Sequence, residues 1–218
     1  MDKLSPTIEN YLSIIYVLER DNEPILGVHL AQLLNVSPPT VTNTLKRMAR
    51  DGLIIMDKKG TRLTRNGKKS ARTVLRRHML TEWMMTRMLP WSKLHDEAHN
   101  LEHAISSEVE TALFEESGHP QTCPHGNPFP GFEDVVSSWI PLTKVSSNEK
   151  VIIKRIHELA EYNSELMAFL ENNGIMPGAL ATVRKLLPFN QTMDVEIQNQ
   201  VVTLGFSTAN QIFVEVAY

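Results

Sequence analysis

The apolar residues of the N-terminal region follow a helical repeat. Over residues 7–20 they recur with a period near 3.6, and Ser5-Pro6 precedes them as a helix start signal. Two further helices are predicted, one over residues 28–34 and one from Pro38 onwards with Ser37 as its N-cap. A short helix, a tight turn and a longer helix in this order predict a helix-turn-helix unit.

Two short strands are predicted directly after this unit, around a turn at residues 57–60. A hairpin in this place forms a wing, which contacts the DNA backbone beside the groove that the second helix enters. We therefore predict a winged helix-turn-helix DNA-binding domain over residues 1–73.

Two longer helical patterns follow. Residues 67–88 carry methionine and leucine on one stripe, and a second helix is predicted over residues 92–116. Their apolar faces have no obvious third helix to pack against, so we expect a second copy of the chain to cover them. Residues 74–140 are predicted to form a helical dimerisation domain.

The pattern changes after a loop rich in glycine, proline and asparagine, SGHPQTCPHGNPFPGF. From Pro141 the chain is strand-rich, with one helix over SELMAFLENNG that ends at Asn173-Gly174. This predicts a small β-barrel module over residues 141–218. The expected fold class is mainly α with small β parts.

Composition narrows the setting of the protein. The chain has one cysteine, which excludes an internal disulfide, and it has no run of about eighteen apolar residues that would predict a transmembrane helix. The start, MDKLSPTIENYL, lacks the basic and apolar pattern of a signal peptide. We expect a cytoplasmic protein with no membrane partner.

Positive charge is concentrated in one part of the chain. Residues 46–77 hold 12 basic and two acidic side chains, which leaves 10 of the 22 basic and 23 of the 25 acidic residues elsewhere. A basic block in a chain of net charge −3 favours a local contact with a polyanion, here double-stranded DNA. The residues expected at the DNA are Ser37, Pro39, Thr40, Thr42, Asn43, Arg47, Arg50, Lys58, Lys59 and Arg62.

Histidines and acids form a second chemical pattern. His95, His99 and His103 recur four residues apart, which places them along one face of a helix. Imidazole, carboxylate and thiolate groups together suit a divalent first-row metal ion. The ligands predicted from the residues are His78, Glu82, His95, His99, Glu102, His103, Cys123, His125, Glu158 and Glu161.

A metalloprotease is the main enzymatic alternative. The run from His95 to His99 differs from the His-Glu-x-x-His motif, since Asp96 is one carbon shorter than the glutamate that acts as general base. The chain also has no nucleophile elbow and no phosphate-binding loop. We therefore expect no catalytic activity.

Six motifs together resemble the diphtheria toxin repressor family of metal-dependent regulators, over essentially the whole chain. They are ENYL, NVSPPTVTNTLKRMARDGL, LTRNGK, RRHMLTE, LHDEAHNLEHAISSEVE and CPHGNPFPG. The resemblance implies a winged helix, a helical dimerisation and metal domain, and an SH3-like module similar to the FeoA fold. It also implies a homodimer that binds a palindromic operator and represses genes of metal homeostasis.

The resemblance further implies two metal sites in each chain. A regulatory site would use Asn10, His99, Glu102 and His103, and a second site would use His78, Glu82, His95, Cys123, His125, Glu158 and, as a further candidate, Glu161. Family members divide His78 between the two sites in different ways.

Two ligand positions depart from the family pattern. Iron-sensing members carry methionine and cysteine at the positions of Asn10 and His99, and manganese-sensing members carry aspartate and glutamate. Without the soft sulfur ligands, the site favours Fe(II) or Mn(II) and does not choose between them. Zn(II) or Co(II) could also bind in vitro.

The mechanism that the resemblance implies is a metal switch. Metal binding would order the N-terminal helix against the dimerisation domain and set the spacing of two winged helices for the DNA half-sites. The alternative is a metal-indifferent winged-helix regulator. A third hypothesis, a metal store or carrier, is disfavoured by the intact reading helix and wing.

Overall fold

The structure, a computed structural model, describes residues 4–58 and 60–217. Its first helices are α1 (Pro6–Arg20), α2 (Gly27–Leu33) and α3 (Pro38–Arg50). The side chains of Ser5 and Ser37 cap α1 and α3 by accepting backbone N–H hydrogen bonds, and a proline follows each cap. A proline in the first turn is tolerated because its missing N–H would have no helical partner there.

The predicted wing follows α3 as an antiparallel hairpin. Its strands are β1 (Ile54–Asp57) and β2 (Gly60–Leu63), and α4 (Arg65–Met85) begins directly after it. A Cβ on Gly67, in the first turn of α4, would lie 1.9 Å from the carbonyl oxygen of Leu53. Only glycine therefore lets α4 approach the start of the wing this closely.

The prediction of one helix over residues 92–116 is wrong. The structure has α5 (Leu94–Leu101), a 3-10 turn over residues 102–104 and α6 (Ser107–Glu116). Ile105 is extended, and the side chain of Ser106 accepts a hydrogen bond from the backbone of Val109 to cap α6. This cap competes with a continuous helix, so His103 lies in the turn and not on α5.

One hydrophobic core joins the winged helix to α4. Helix α1 packs along α4 and contributes Tyr11, Leu12 and Ile15, all nearly inaccessible to solvent. Its buried partners come from five other parts of the chain and include Leu30, Met48, Leu75, Met79, Phe129 and Leu159. Because α4 is continuous across residues 73 and 74, the boundary between the first two domains stays a prediction.

The C-terminal module has a separate core beneath an antiparallel sheet. Its strands are β3 (Ile140–Pro141), β4 (Lys150–Ile156), β5 (Leu180–Leu187), β6 (Thr192–Ile197), β7 (Gln200–Gly205) and β8 (Ile212–Val216), in the order β3-β8-β4-β5-β6-β7. Helix α7 (Ser164–Asn172) adds Met167 and Leu170 to this core. A second helix, the short α8 (Phe206–Ala209), lies in the region that we predicted to be strand-rich with one helix.

Among the described residues, the helices lack the combined length and apolar character that crossing a membrane requires.

Candidate metal centre and DNA-binding face

Metal-ligand side chains converge between α4, α5 and the C-terminal module. His78 and Glu82 lie one turn apart on α4, and His95 and His99 lie one turn apart on α5. The loop that carries Cys123 and His125 reaches them because it is held along β4. There the N–H of Ile156 donates to the carbonyl oxygen of His125 at 2.9 Å.

Six of the predicted ligands form what we call the inner cluster: His78, Glu82, His95, Cys123, His125 and Glu161. All six are buried. His95 Nδ1 lies 3.0 Å from Glu161 Oε2, and His125 Nδ1 lies 3.1 Å from Glu82 Oε1. His78 Nε2 is 3.3 Å from the same Glu82 oxygen. Ligands from α4, α5, the loop and the module therefore face one another.

The inner cluster has the unmet polar atoms that a cation site requires. Both carboxylate oxygens of Glu82 and His125 Nδ1 are buried and make no hydrogen bond of good geometry, although His125 Nδ1 and Glu82 Oε1 lie close to each other. His95 Nε2 is also buried without a hydrogen-bond partner. Such atoms are costly to leave unpaired. His125 Nε2 lies 3.1 Å from the carbonyl oxygen of Trp91, which orients the ring so that Nδ1 faces the cluster. These residues fit a divalent metal ion.

Electrostatics in the inner cluster favour a cation. Burial would raise the pKa of Glu82, but His125 and His78 hold it well below its usual value. Burial would lower the pKa of His125, but Glu161 and Glu82 raise it to about 9. Burial, then the charge of His78, lowers the pKa of His95 to about 4. In this cluster a metal ion would replace the protons that now balance the carboxylates.

The thiol of the inner cluster would also need a bound cation to lose its proton. Burial, then the charge of Glu82, raises the pKa of Cys123 well above its ordinary value. Burial, reinforced by Glu82, also raises the pKa of Glu161. Both groups would lose their protons most readily when they bind a cation directly.

The outer cluster, as we name it, contains Asn10, His99, Glu102 and His103, with His78 on its border. Glu102 is its centre: its oxygens lie 2.6 Å from His78 Nδ1, 3.5 Å from His99 Nδ1 and 3.4 Å from His103 Nε2. Asn10 Nδ2 lies 3.1 Å from His99 Nε2, while its Oδ1 is buried without a hydrogen-bond partner. A neutral amide oxygen is thus available beside two imidazoles and a carboxylate.

Two acids differ from the ligand prediction, because one predicted ligand has another partner and one neighbour of the site was not predicted. Glu158 borders the small cavity between the clusters, but its carboxylate pairs with the Arg20 guanidinium at 3.2 Å. Glu9, which the prediction missed, lies 2.6 Å from His103 Nδ1. The position of Glu9 beside Asn10 on α1 was the only sequence signal for this contact, because Glu9 and His103 are 94 positions apart in the chain.

The predicted DNA-binding residues lie on an exposed surface of α3 and the wing. The N-cap Ser37 is exposed, as are Pro39, Thr40, Thr42, Asn43, Arg47 and Arg50 on α3, whereas Val41, Leu45 and Met48 are buried. In the wing, Lys58 and Arg62 are exposed, and Arg62 lies 2.8 Å from Asp57. Lys59 lies outside the described residues.

Comparison with known proteins follows the same three-part division. The N-terminal DNA binding domain of iron dependent repressors matches residues 3–61, their metal binding and dimerisation domain matches residues 64–131, and the FeoA domain matches residues 140–216. The iron-dependent repressor IdeR of Mycobacterium leprae is 32% identical over 99% of each chain. The chain belongs to the iron-dependent repressor family.

Further similar proteins agree with this assignment. The diphtheria toxin repressor of Corynebacterium diphtheriae is 34% identical, over 82% of this chain and 84% of its own. The solved structure of the manganese regulator SloR matches with a TM-score of 0.81 at 26% identity, over 98% of this chain and 100% of that one. The predicted family, the mainly α fold with an SH3-like, FeoA-type module, and the assignment as a DNA-binding repressor are confirmed.

Proposed function

We propose that this protein represses genes of metal homeostasis when Fe(II) or Mn(II) is available, by binding a palindromic operator as a homodimer. The observation that carries the proposal is the set of buried ligand atoms without hydrogen-bond partners, contributed by several elements that also pack on the winged helix. It is supported by two relatives, one named an iron-dependent repressor and the other a manganese regulator.

Each chain is proposed to hold two ions. His78, Glu82, His95, Cys123, His125 and Glu161 would hold one in the inner cluster, with Glu158 at its border. Asn10, His99, Glu102 and His103 would hold the other in the outer cluster. Nitrogen and oxygen donors at the outer cluster suit Fe(II) or Mn(II), and Zn(II) or Co(II) in vitro.

The link from metal to DNA runs through α1. A cation held by Asn10, His99, Glu102 and His103 would supply the positive charge that lets Glu102 and the amide oxygen of Asn10 share one site. Asn10 and Glu9 would then hold α1 against the turn after α5. Because Tyr11 and Leu12 of α1 pack in the core that supports α3, the reading helix is held in the same step. In a homodimer this sets the distance between two reading helices.

The remaining assignments follow from this function. Thr40, Thr42 and Asn43 would contact base edges, and the basic residues of α3 and the wing would contact phosphates. The protein would act in the cytoplasm, where the DNA of a bacterial cell lies, and would have no catalytic activity.

The first test measures affinity for a DNA fragment of the protein's own promoter region under anaerobic conditions. Binding is measured in chelator and then with Fe(II), Mn(II) and Zn(II) separately. We expect tight binding only with Fe(II) or Mn(II). Equally tight binding in chelator would contradict the metal switch and favour the metal-indifferent regulator.

A pair of histidine variants makes the test specific. His103→Ala removes a ligand that also contacts Glu9 of α1, so metal should no longer raise DNA affinity. The loss should be at least about tenfold, the usual range for a coupling between two sites. His119→Ala is the matched control, because His119 is exposed and pairs with Glu115 away from the clusters. Unchanged stimulation in His103→Ala would overturn its assignment.

A further inference from the structure

A buried ion network joins the end of α1 to the C-terminal module. Asp21 follows the last residue of α1, and its Oδ2 lies 2.7 Å from Arg155 Nη2 on β4 and 2.9 Å from His157 Nε2. Arg20 pairs with Glu158 of the module at 3.2 Å and with Asp21 at 2.9 Å. Charges from two distant parts of the chain therefore neutralise one another.

The network is shielded from solvent. The side chains of Arg155, Arg20 and Glu158 are 3%, 5% and 5% exposed, and that of Asp21 is 13% exposed. Exposed ion pairs contribute little, but removing one member of a buried pair leaves an uncompensated charge. The end of α1 is therefore most stable against β4, because moving it away would leave buried charges uncompensated.

Arg155 is also linked to the inner cluster through Asn127. Its Nε donates to Asn127 Oδ1 at 2.6 Å, while its Nη2 donates to Asp21. The Asn127 amide in turn donates to the Ile156 carbonyl oxygen at 2.8 Å and to a carboxylate oxygen of Glu161. A short path therefore leads from α1 through Arg155 and Asn127 to a ligand of the inner cluster.

We propose that Arg155 is a positioning residue through which the C-terminal module couples the inner cluster to the winged helix. The planar guanidinium holds Asp21 and Asn127 at once, so Glu161 and the end of α1 are placed by the same side chain. This inference rests on the proposed function. It gives the module a role in setting how much metal is needed for DNA binding, separate from supplying ligands.

The coupling follows from the geometry of the two contacts. If α1 moves away from β4, Asp21 loses its contact with Arg155. The guanidinium is then held only by Asn127, and its position beside Asn127 is less restrained. If Glu161 is held in the inner cluster, Asn127 and Arg155 are held too, and the site for Asp21 is ready. Coupling of this kind acts equally in both directions.

The test uses full-length Arg155→Met, which keeps the length of the aliphatic stem and removes both contacts. Promoter-fragment binding is measured across a titration of Mn(II), and the metal concentration at half-maximal binding is recorded. We expect that concentration to rise by about tenfold, within the usual range of site-to-site coupling. Affinity in chelator should not increase.

Lys154→Met is the matched control. Lys154 is the neighbour of Arg155 on β4, but its ion pair, at 3.3 Å, is with Glu215 inside the module. It should leave the Mn(II) midpoint unchanged. If Arg155→Met does not fold, Arg155→Lys takes its place. This variant keeps the charge, but its single amine cannot bridge Asp21 and Asn127, so the same rise is expected.

Two further variants separate the branches of the network. Asp21→Asn weakens the contact to α1, and Asn127→Ala removes the contact to Glu161. Hydrogen–deuterium exchange of residues 14–22 provides a readout besides DNA binding. In the wild type, Mn(II) should slow exchange there, and Arg155→Met and Asn127→Ala should both reduce that slowing.

The possible failures are distinguishable. A wild-type protein whose DNA affinity does not change when metal is added would refute the proposed function itself. A metal-responsive wild type with an Arg155→Met midpoint within twofold of wild type would refute the coupling alone. The coupling is also refuted if Asn127→Ala weakens Mn(II) binding but leaves metal-induced protection of residues 14–22 intact.

Discussion

Single side chains connect the two ligand clusters, and His78 is the clearest case. Its Nδ1 lies 2.6 Å from Glu102 in the outer cluster, and its Nε2 faces Glu82 in the inner cluster at 3.3 Å. Burial would lower the pKa of His78, but Glu82 and Glu102 raise it well above its usual value. One imidazole thus balances carboxylates on both sides, so the clusters are chemically linked through it.

The largely buried carboxylate of Asp21 leads to a prediction about acid stability. Burial would raise its pKa, but hydrogen bonds from His157 and Arg20 and the charges around it hold the pKa far below the usual value. Its stabilising contribution is therefore complete above the unfolded-state pKa of about 4 and is lost as the pH falls below that. At pH 7, Asp21→Asn should lower the free energy of unfolding by about 3 kcal/mol.

This prediction is measured by urea denaturation of both proteins at several pH values between 7 and 3. The difference between wild type and Asp21→Asn should be constant down to about pH 5 and shrink below pH 4. Asp51→Asn serves as the control, because its pair with Arg50 is exposed and should contribute less than about 1 kcal/mol. A difference that does not change with pH would show that Asp21 acts without its charge.

At the scale of elements, the loop that carries Cys123 and His125 depends on close backbone packing against β4. Gly126 has a φ of +88°, and a Cβ there would lie 2.0 Å from the carbonyl oxygen of Lys154. Asn127 completes the attachment by donating to the carbonyl oxygen of Ile156. The position of two predicted ligands therefore depends on a close approach to β4 that only glycine permits at residue 126.

Gly126→Ala should displace this loop. We expect a loss of about 3 kcal/mol of stability, from backbone strain and the steric clash together, and weaker metal binding in the inner cluster. Gly118→Ala is the matched control for backbone strain alone, since Gly118 has a φ of +73° but no atom within 4 Å of its added Cβ. It should lose only about 1 kcal/mol. Thermal unfolding and Mn(II) titration calorimetry measure both effects, and equal losses in the two variants would contradict the packing argument.

At the scale of the whole molecule, the helices after the wing leave apolar side chains uncovered. Met79 and Met85 of α4 are buried, but Met84 and Met88 are 39% and 65% exposed. Leu101 and Val109, on α5 and α6, are 41% and 44% exposed. The family segment that contains these helices is a metal binding and dimerisation domain, so we expect a second copy to cover them.

Leu101→Glu should weaken this dimer by placing a charge in the contact. An increase of about 100-fold in the dimer dissociation constant, or about 3 kcal/mol, is expected for a central apolar position. Sedimentation equilibrium measures it. Phe189→Glu is the control, because Phe189 is 85% exposed on the C-terminal module. If Leu101→Glu remains as dimeric as Phe189→Glu, the contact lies on another surface.

The sequence alone determined the elements whose causes are local. Serine caps followed by proline mark the starts of α1 and α3, and the apolar repeat shows which faces are buried. The types of metal ligand were also visible, since imidazoles four residues apart and a Cys-Pro-His run are properties of short stretches. These features depend on residues within a few positions of one another, over which few backbone conformations are possible.

The tertiary structure decided how those elements meet. It showed that His103 lies in a turn, that Glu9 lies beside it, and that Glu158 pairs with Arg20. The contact between Asp21 and Arg155 spans 134 positions, and no periodicity or motif marks it. Contacts of this kind arise when separate elements pack, and their partners are set by the shared cores that bring α1, α4 and the module together.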